Sequence, residues 1–257
     1  MTLSVCIIAH NEEEKLPEAL ESVRFADEVI VADCDSEDAT ALIARGYGAR
    51  VFSRPNLANL NVNKNFTFDQ AKSDYILCLD ADEMVPAETA AEIRMIVRQQ
   101  PERAGYYLPR RNYFLGRWLK HGGHYPDWQL RFFRRGKGRF PESHIHERLC
   151  IDGEVGRLCH PLVHSPYETK EECRRKLEFY TSFEADLLYR KGVRPSPIHA
   201  IRFLYWMPAQ RFLRRYIFKL GFLDGHPGWQ SMLMDIQNFR LRYLKLRELF
   251  GEEEKSI

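Results

Sequence analysis

The sequence lacks paired cysteines. Its six cysteines are scattered over 257 residues without a C-x-x-C motif or a regular spacing. A secreted disulfide framework depends on closely spaced pairs, so the pattern excludes that class of protein and favours a reducing compartment. Three of the six, Cys6, Cys34 and Cys78, lie in apolar runs or at the end of one. We expect these three thiols to be buried, as free cysteines commonly are.

Long apolar runs and a large net charge are also missing. No segment reaches the roughly 18 uncharged apolar residues that a membrane-spanning helix requires, and the first residues carry no basic leader typical of a signal peptide. We therefore expect a cytoplasmic protein. A formal net charge of only +2 gives no global attraction to nucleic acid. The basic residues are unevenly placed, however, because residues 103–148 and 202–247 are rich in arginine.

The first hundred residues alternate apolar strands with helices. Such an alternation predicts an α/β fold with a mainly parallel sheet flanked by helices. Ligands of these sheets bind beyond the carboxyl ends of the strands. The strand candidates are 3–9, 28–33, 49–53 and 75–79, and the helix candidates begin near residues 11, 36, 65 and 86.

The rest of the chain has a different pattern. Its middle part is rich in strand and loop candidates, and two later stretches show helical periodicity. We predict a catalytic domain over 1–167, divided near residue 100, and an amphipathic C-terminal helical extension over 168–257. The strand candidates are 106–108 and 129–133, and the helical stretches are 199–220 and 232–250.

A buried strand that ends in three carboxylates is the most informative motif. Tyr75 to Leu79 is an unbroken apolar run, and Asp80, Asp82 and Glu83 follow it. Carboxylates at a sheet edge repel one another unless a cation compensates them, and oxygen ligands suit Mg²⁺ or Mn²⁺. An ordinary acidic loop is the alternative, because D-x-D alone is a weak signal. Other polar residues also follow strand ends, and this convergence favours a metal site.

Four motifs occur in order: I-I-A-H-N-E-E from residue 7, A-D-C-D-S from residue 32, K-N from residue 64 and L-D-A-D-E from residue 79. Together they resemble the N-terminal half of glycosyltransferase family 2, whose members are inverting enzymes with the Rossmann-like GT-A fold. Further motifs resemble the bacterial branch that builds the lipopolysaccharide inner core. These are G-H-Y-P-D-W-Q-L-R from residue 123, H-I-H-E-R-L from residue 144 and K-L-G-F-L-D-G-H-P-G from residue 219.

The resemblance implies a nucleotide-sugar donor bound at the strand ends. Asp33 would meet the edge of the base, and Lys64 would offset the charge of the diphosphate. UDP-hexose is the favoured donor, but adenine could occupy the same edge, so ADP-heptose stays open. The residues that the resemblance assigns to the donor are Ala9, Asn11, Glu12, Asp33, Lys64 and Asp80.

A divalent cation, Mg²⁺ or Mn²⁺, is implied by the same resemblance. Asp82 matches the last acid of the motif and would be the direct ligand, with Asp80 in support. His164, in P-L-V-H-S-P, resembles the histidine that completes the metal site in many GT-A enzymes. The cation would neutralise the charge that grows on the departing diphosphate.

Inversion at the anomeric carbon requires a carboxylate that removes the proton of the acceptor hydroxyl. There are two candidates for this base. Asp127 follows Tyr125-Pro126 on a loop before an amphipathic strand, and Glu147 lies between His146 and Arg148. We prefer Asp127, and Glu147 stays open.

The middle section interleaves arginines and lysines with aromatic rings. The rings offer flat faces to sugars, and acceptor phosphates would explain the cations. Single-strand nucleic acid binders share this composition. The low net charge and the carboxylates argue against nucleic acid. We expect a phosphorylated glycolipid acceptor, bound by Arg110, Trp118, Trp128 and Arg131.

The segment over residues 198–219 mixes aromatic residues with evenly spread cations. This composition suits a helix lying in a membrane interface, here the inner leaflet, and would make the protein peripheral on the inner membrane. A helix packed on its own domain, or on the partner of a homodimer, is the alternative.

The motifs together predict an inverting, metal-dependent glycosyltransferase that acts on a lipid-linked acceptor, with lipopolysaccharide inner core as the favoured class. A nucleotidyltransferase acting on sugar phosphates is one rival, although the glycine-rich phosphate loop that such enzymes carry is missing after the first strand. A non-catalytic membrane-surface scaffold with a degenerate transferase fold is the other. The retained carboxylates argue against the scaffold.

Overall fold

The computed structural model describes residues 1–57, 59–142 and 148–255. The chain falls into two compact units. The first comprises Met1–Arg111 and Asp127–His164, and the second comprises Asn112–Pro126 and Ser165–Ile257. The sequence-based division at residue 167 into a catalytic domain and a helical extension stays a prediction.

Four parallel strands form the first half of the sheet, and helices connect them as the sequence pattern predicts. In space their order is β3-β2-β1-β4, so the chain starts in the middle of the sheet and crosses to either side. The elements are β1 (Leu3–Ala9), α1 (Leu16–Ser22), β2 (Glu28–Cys34), α2 (Thr40–Gly46), β3 (Arg50–Arg54), α3 (Leu60–Gln70) and β4 (Tyr75–Asp80).

The sheet continues beyond β4 with antiparallel strands. β8 pairs antiparallel with β4, β6 pairs antiparallel with β8, and β12 and β5 extend the order. The sheet is therefore mixed, although mostly parallel where the helices cross it. The elements are β5 (Glu83–Met84), α4 (Ala87–Gln99), β6 (Gly105–Phe114), β7 (Arg117–Trp118), β8 (Asp127–Arg134), β9 (Gly138–Arg139), β10 (Cys150–Ile151), β11 (Val155–Arg157) and β12 (Leu162–Tyr167).

The side chains of β4 show why this strand is apolar throughout. Tyr75, Leu77 and Leu79 belong to the apolar cluster on one face of the sheet, and Ile76 and Cys78 belong to the cluster on the other. Successive side chains alternate between the two faces, so a strand covered on both sides needs a continuous apolar run. The expected burial of Cys6, Cys34 and Cys78 is confirmed. Desolvation raises the pKa of each of these three thiols.

The helical part of the second unit begins with α5 (Lys170–Arg190), which lies within the predicted helical extension but outside the two helical stretches identified there. Thr169 caps the N-terminus of this helix, and its hydroxyl accepts from the backbone N–H of Glu172 at 3.1 Å. The Glu172 carboxylate in turn accepts from the N–H of Glu168 at 2.8 Å. This capping arrangement was readable in the sequence, but the many charges of α5 obscure its apolar face.

Residues 197–218 form one continuous helix in which α and π segments alternate. It contains α6 (Pro197–Ile201), a π-helical segment Arg202–Trp206, α7 (Met207–Arg211) and a second π-helical segment Phe212–Phe218. A 3₁₀ turn over Gly221–Asp224 leads into α8 (Gly225–Lys255). Among the helices of the described ranges, none combines the length and apolarity needed to cross a bilayer.

Candidate active site

The loops after β1 and β2 are tied together by side chains that the sequence motifs contain. The backbone N–H of Asn11 donates to Ser36 Oγ at 3.0 Å, and Asn11 Oδ1 accepts from the N–H of Glu37 at 2.8 Å. The N–H of Glu12 donates to Thr40 Oγ1 at 2.8 Å. Asn11 has a φ of 53°, a left-handed conformation that asparagine tolerates better than most residues. The two loops therefore form one preorganised edge.

Asp33 presents a buried oxygen to this edge. It lies opposite Ala9 in the β1–β2 pairing and is 7% exposed. Its Oδ1 has no hydrogen-bond partner among the described residues. A buried acceptor without a donor costs on the order of 1–3 kcal/mol. The position therefore suits a ligand that brings an N–H or O–H group.

An ion-pair network starts at the end of β4. Lys64 Nζ, on α3, lies 2.7 Å from Asp80 Oδ1. Arg131 Nη2, on β8, pairs with Asp80 Oδ2 and lies 3.2 Å from Glu83 Oε1. The β4–β8 pairing brings Arg131 next to Asp80, although 51 residues separate them in the chain. The carboxylate of Asp80 is thus held between two cations.

The network extends across the sheet to the predicted base. Arg110 Nη1 on β6 lies 2.9 Å from Glu83 Oε1, and its Nη2 lies 2.7 Å from Asp127 Oδ2. Gln129 Nε2 donates to Asp127 Oδ1 at 2.8 Å. Glu83 is completely buried, so it links the two arginines inside the protein. Both oxygens of Asp127 are held in defined positions.

The ionised groups of this network shift the pKa values of one another. Burial opposes ionisation of Asp80, but Arg131 and then Lys64 outweigh it and hold the pKa of that carboxyl well below its usual value. Burial acts against the charged form of Arg131, but Asp80 and Glu83 raise the pKa of its guanidinium well above the ordinary value. Asp80 is therefore a permanent anion near neutral pH.

Asp82 and His164 form a pair that fits a divalent cation. His164 Nε2 lies 3.6 Å from Asp82 Oδ1, because β12 pairs with β5 and sets His164 opposite Glu83. Within the described ranges, no group of three or more His, Cys, Asp or Glu side chains is gathered as a cation cage. Mg²⁺ and Mn²⁺ commonly use one or two protein ligands with substrate phosphates and water. A carboxylate and an imidazole fit such a substrate-completed site.

An open pocket of about 300 Å³ collects several predicted residues in the first unit. Lys64, Asp127, Trp128 and Arg131 all line it, together with Tyr107, Phe140 and Arg148. The guanidinium of Arg157 lies 5.0 Å from the centre of the Trp128 ring. One cavity is therefore lined by Lys64, which is predicted to face the donor, by the candidate base Asp127 and by the ring of Trp128.

Trp118 and Glu147 are the two remaining predicted residues. Trp118 belongs to the second unit, where it pairs with Tyr113 in the β6–β7 hairpin and packs edge-on against the Tyr125 ring at 5.3 Å. Glu147 lies outside the described residues. The roles predicted for individual site residues, including the acceptor contacts of Arg110 and Arg131, stay predictions.

Comparison with known proteins agrees with the motifs. The model of glycosyl transferase family 2 matches residues 4–150. The chain belongs to glycosyltransferase family 2. An uncharacterized glycosyltransferase of Rickettsia bellii is 32% identical over 96% of this chain and 86% of its own length. The lipopolysaccharide core biosynthesis glycosyltransferase LpsC of Rhizobium meliloti is 29% identical over 84% of this chain and 81% of its own.

Solved structures show the same fold. S. aureus TarS 1–349 in complex with UDP-GlcNAc has a TM-score of 0.53 and 14% identity, over 96% of this chain and 92% of that one. The mannosyltransferase PcManGT from Pyrobaculum calidifontis, in complex with GDP-Man and Mn²⁺, has a TM-score of 0.53 and 15% identity, over 95% and 86%. The predicted family, the GT-A fold and the assignment as a glycosyltransferase are confirmed.

Proposed function

We propose that this glycosyltransferase is an inverting, metal-dependent enzyme that moves a sugar, with UDP-hexose as the favoured donor, to a lipid-linked acceptor of the lipopolysaccharide inner core. The observation that carries the proposal is the pocket of the first unit, which joins Lys64 and Arg131 to Asp127. Membership of the family argues against a nucleotidyltransferase.

The proposed donor site is supported by an unpaired carboxylate oxygen and by charged side chains. The unpaired Oδ1 of Asp33 would accept from the imide N–H of uracil, and the loops of Asn11 and Glu12 would enclose the nucleoside. Lys64 would approach the diphosphate while Asp80 contacts the ribose. TarS, which shares the fold, binds UDP-GlcNAc. A uridine nucleotide therefore remains the first choice, with ADP-heptose as the second.

Asp82 and His164 would hold Mg²⁺ or Mn²⁺ together with the donor phosphates. The bound ion would neutralise the charge of the departing diphosphate. PcManGT, another protein of this fold, contains Mn²⁺. Lys64 and Arg131 lie beside Asp80 and keep its carboxylate ionised and oriented. Asp80 therefore does not take up a proton near neutral pH.

Asp127 would act as the base. Its carboxylate takes the proton of the acceptor hydroxyl while the new bond forms at the anomeric carbon and the bond to the diphosphate breaks on the opposite face. Arg110 and Gln129 hold the two carboxylate oxygens in place. Glu147 is the second candidate.

A lipopolysaccharide core acceptor is supported by LpsC, which carries that name and covers most of this chain. Trp128 offers a flat face to a sugar ring in the pocket, and Arg148 adds a cation to its lining. We infer a phosphorylated glycolipid at the inner leaflet, and no nucleic acid.

A donor screen tests the proposal. Release of nucleoside diphosphate would be measured for UDP-hexoses, ADP-heptose and GDP-mannose with Mn²⁺, Mg²⁺ or a chelator, each with and without a core-lipid acceptor. We expect acceptor-dependent release from one donor, lost with the chelator, and a product of inverted anomeric configuration by NMR. Absence of turnover with every donor and both metals would overturn the proposal, as would a product of retained configuration.

A further inference from the structure

The helix over residues 197–218 exposes large apolar side chains along one side. Exposed residues come in pairs, at 197–198, 201–202, 205–206, 209–210, 213–214 and 217–218. We call six of them the apolar stripe, and each is at least 41% exposed: Ile201, Tyr205, Trp206, Leu213, Ile217 and Phe218. A solvent-facing helix side normally carries polar residues. The stripe therefore suggests a surface with a partner.

The alternation of α and π turns keeps the stripe on one side. An α-helix completes a turn in 3.6 residues, so a repeat of four drifts by about 40° each time. The π-helical segments Arg202–Trp206 and Phe212–Phe218 hold more residues per turn and oppose this drift. The two groups of stripe residues, at 201–206 and at 213–218, thus lie on the same side of the helix.

The other side of the same helix already packs within its unit. The ring of Phe203 stacks on Tyr243 of α8 at 5.9 Å, and Tyr216 contacts Trp229 at 5.4 Å. Arg215 Nη1 lies 2.5 Å from Asp235 Oδ2. The core of the unit therefore does not use the stripe.

Charge identifies the partner. The segment from Arg190 to Leu223 contains eight lysines and arginines and no aspartate or glutamate. Arg202 and Arg214 are exposed beside stripe residues in the same pairs. A two-fold contact between copies of this chain would set these cations against themselves, with no acid in the segment to balance them. An anionic lipid surface complements them.

We propose that the apolar stripe lies in the interface of an anionic membrane. The rings of Tyr205, Trp206 and Phe218 enter the headgroup region, and Arg202 and Arg214 meet lipid phosphates. The inference rests on the proposed function, because a lipid-linked acceptor is what gives the enzyme a reason to bind this surface.

Vesicle flotation of the full chain tests it. Vesicles of phosphatidylcholine would be compared with an equal mixture of phosphatidylcholine and phosphatidylglycerol. We expect binding to the mixture alone.

The double variant Trp206→Ser/Phe218→Ser should bind about tenfold more weakly or worse. Arg202→Gln/Arg214→Gln should lose about fivefold for each charge. Phe179→Ser, which removes an aromatic ring as exposed as Trp206 but outside the stripe, should bind like the wild type.

Three outcomes would overturn the inference: no binding to the mixture, unchanged binding of the stripe double variant, or an equal loss in Phe179→Ser. Sedimentation velocity without vesicles adds a fourth, since a wild-type dimer that the stripe variant dissociates would make the stripe a subunit interface. Nucleoside diphosphate release with the core-lipid acceptor dispersed in detergent, in the absence of vesicles, separates the two proposals. A protein that binds vesicles but turns over no donor would contradict the proposed function alone.

Discussion

At the scale of single residues, Glu83 links the ion pairs around Asp80 to those around Asp127. It is completely buried and meets Arg131 at 3.2 Å and Arg110 at 2.9 Å. Its second oxygen accepts from the backbone N–H of Asp80 at 3.0 Å. A carboxylate removed from water persists only when such partners compensate its desolvation. Glu83 thereby fixes both Arg131, beside Asp80, and Arg110, beside Asp127.

Replacing Glu83 with glutamine should destabilise the first unit strongly. The change leaves two buried guanidiniums without their shared anion, and breaking a buried pair costs about 3 kcal/mol. Urea denaturation followed by intrinsic tryptophan fluorescence would measure the loss. Glu21→Gln is the matched control, because its pair with Arg24 at 3.0 Å is exposed and should contribute almost nothing. Equal stability of both variants would show that Glu83 does not hold the network.

Asp127 and Glu147 can be separated by conservative variants. Asp127→Asn should lower kcat by about 10²-fold or more while the Kd for the donor stays near the wild-type value, because only proton removal is lost. Glu147→Gln should retain most of its turnover. Initial rates and donor titration on the same preparations would check both. A reversed pattern would assign the base to Glu147, and two active variants would exclude both.

The residue types of the site could be predicted from the sequence, but their pairing could not. Asp33 and Lys64 follow from the order of the motifs. No motif indicated that Arg110 and Arg131, both predicted to contact the acceptor, would pair with Glu83. Their guanidiniums meet that carboxylate because β6, β8 and the end of β4 lie close in the sheet.

At the scale of elements, the pairing of β12 with β5 brings His164 to Asp82. β5 has two residues, Glu83 and Met84, and β12 places Val163 and His164 opposite them. The chain between these strands spans α4 and several strands, so the pairing depends on the completed sheet. The motif P-L-V-H-S-P by itself cannot show where its histidine lies.

Removing this imidazole should weaken metal activation. His164→Ala would raise the Mn²⁺ concentration for half-maximal activity by roughly tenfold or more, because one of two protein ligands is lost. Metal titration of donor turnover measures the shift. His160→Ala is a suitable control, since that exposed histidine pairs with Glu92 at 2.9 Å instead. An unchanged titration for His164→Ala would remove His164 from the metal site.

Most elements of the first hundred residues agree with the sequence pattern, and the differences have local causes. α1 begins at Leu16 and not at Asn11, because the residues after Asn11 form a turn in which the N–H of Leu16 donates to the carbonyl of Glu12 at 2.9 Å. α3 begins at Leu60, five residues before the predicted start, with the Asn59 side chain capping it. Three buried asparagines conceal its periodicity: Asn61, Asn63 and Asn65.

At the scale of the whole molecule, the ionisation of Asp80 should make the free energy of unfolding depend on pH in the acidic range. Its pKa is lowered in the folded state, so the stability it contributes is present above the unfolded pKa of about 3.9. That contribution is lost as the pH falls further, toward the depressed folded pKa. Asp80→Asn should flatten the fall of the unfolding free energy below about pH 4. Urea denaturation at several pH values, followed by intrinsic tryptophan fluorescence, checks this. A variant with the wild-type slope would contradict the ion-pair network.

The net charge of the protein does not show how unevenly its acidic and basic residues are distributed. A net charge of +2 describes neither the acidic strand ends of the first unit nor the acid-free segment from Arg190 to Leu223. Both are visible in the sequence. Only the structure shows that Arg110 and Arg131 of the first unit turn inward to carboxylates, whereas Arg202 and Arg214 of the second are exposed.

The sequence by itself determined the alternation of strands and helices, the family and the residue types at the strand ends, because apolar periodicity and short motifs are local properties of a chain. The tertiary structure decided which of those residues meet. Arg131 reaches Asp80, Arg110 reaches Asp127 and His164 reaches Asp82 across strands whose register depends on the whole sheet. It also decided that the helix over residues 197–218 turns its apolar stripe outward, because its other side packs on α8.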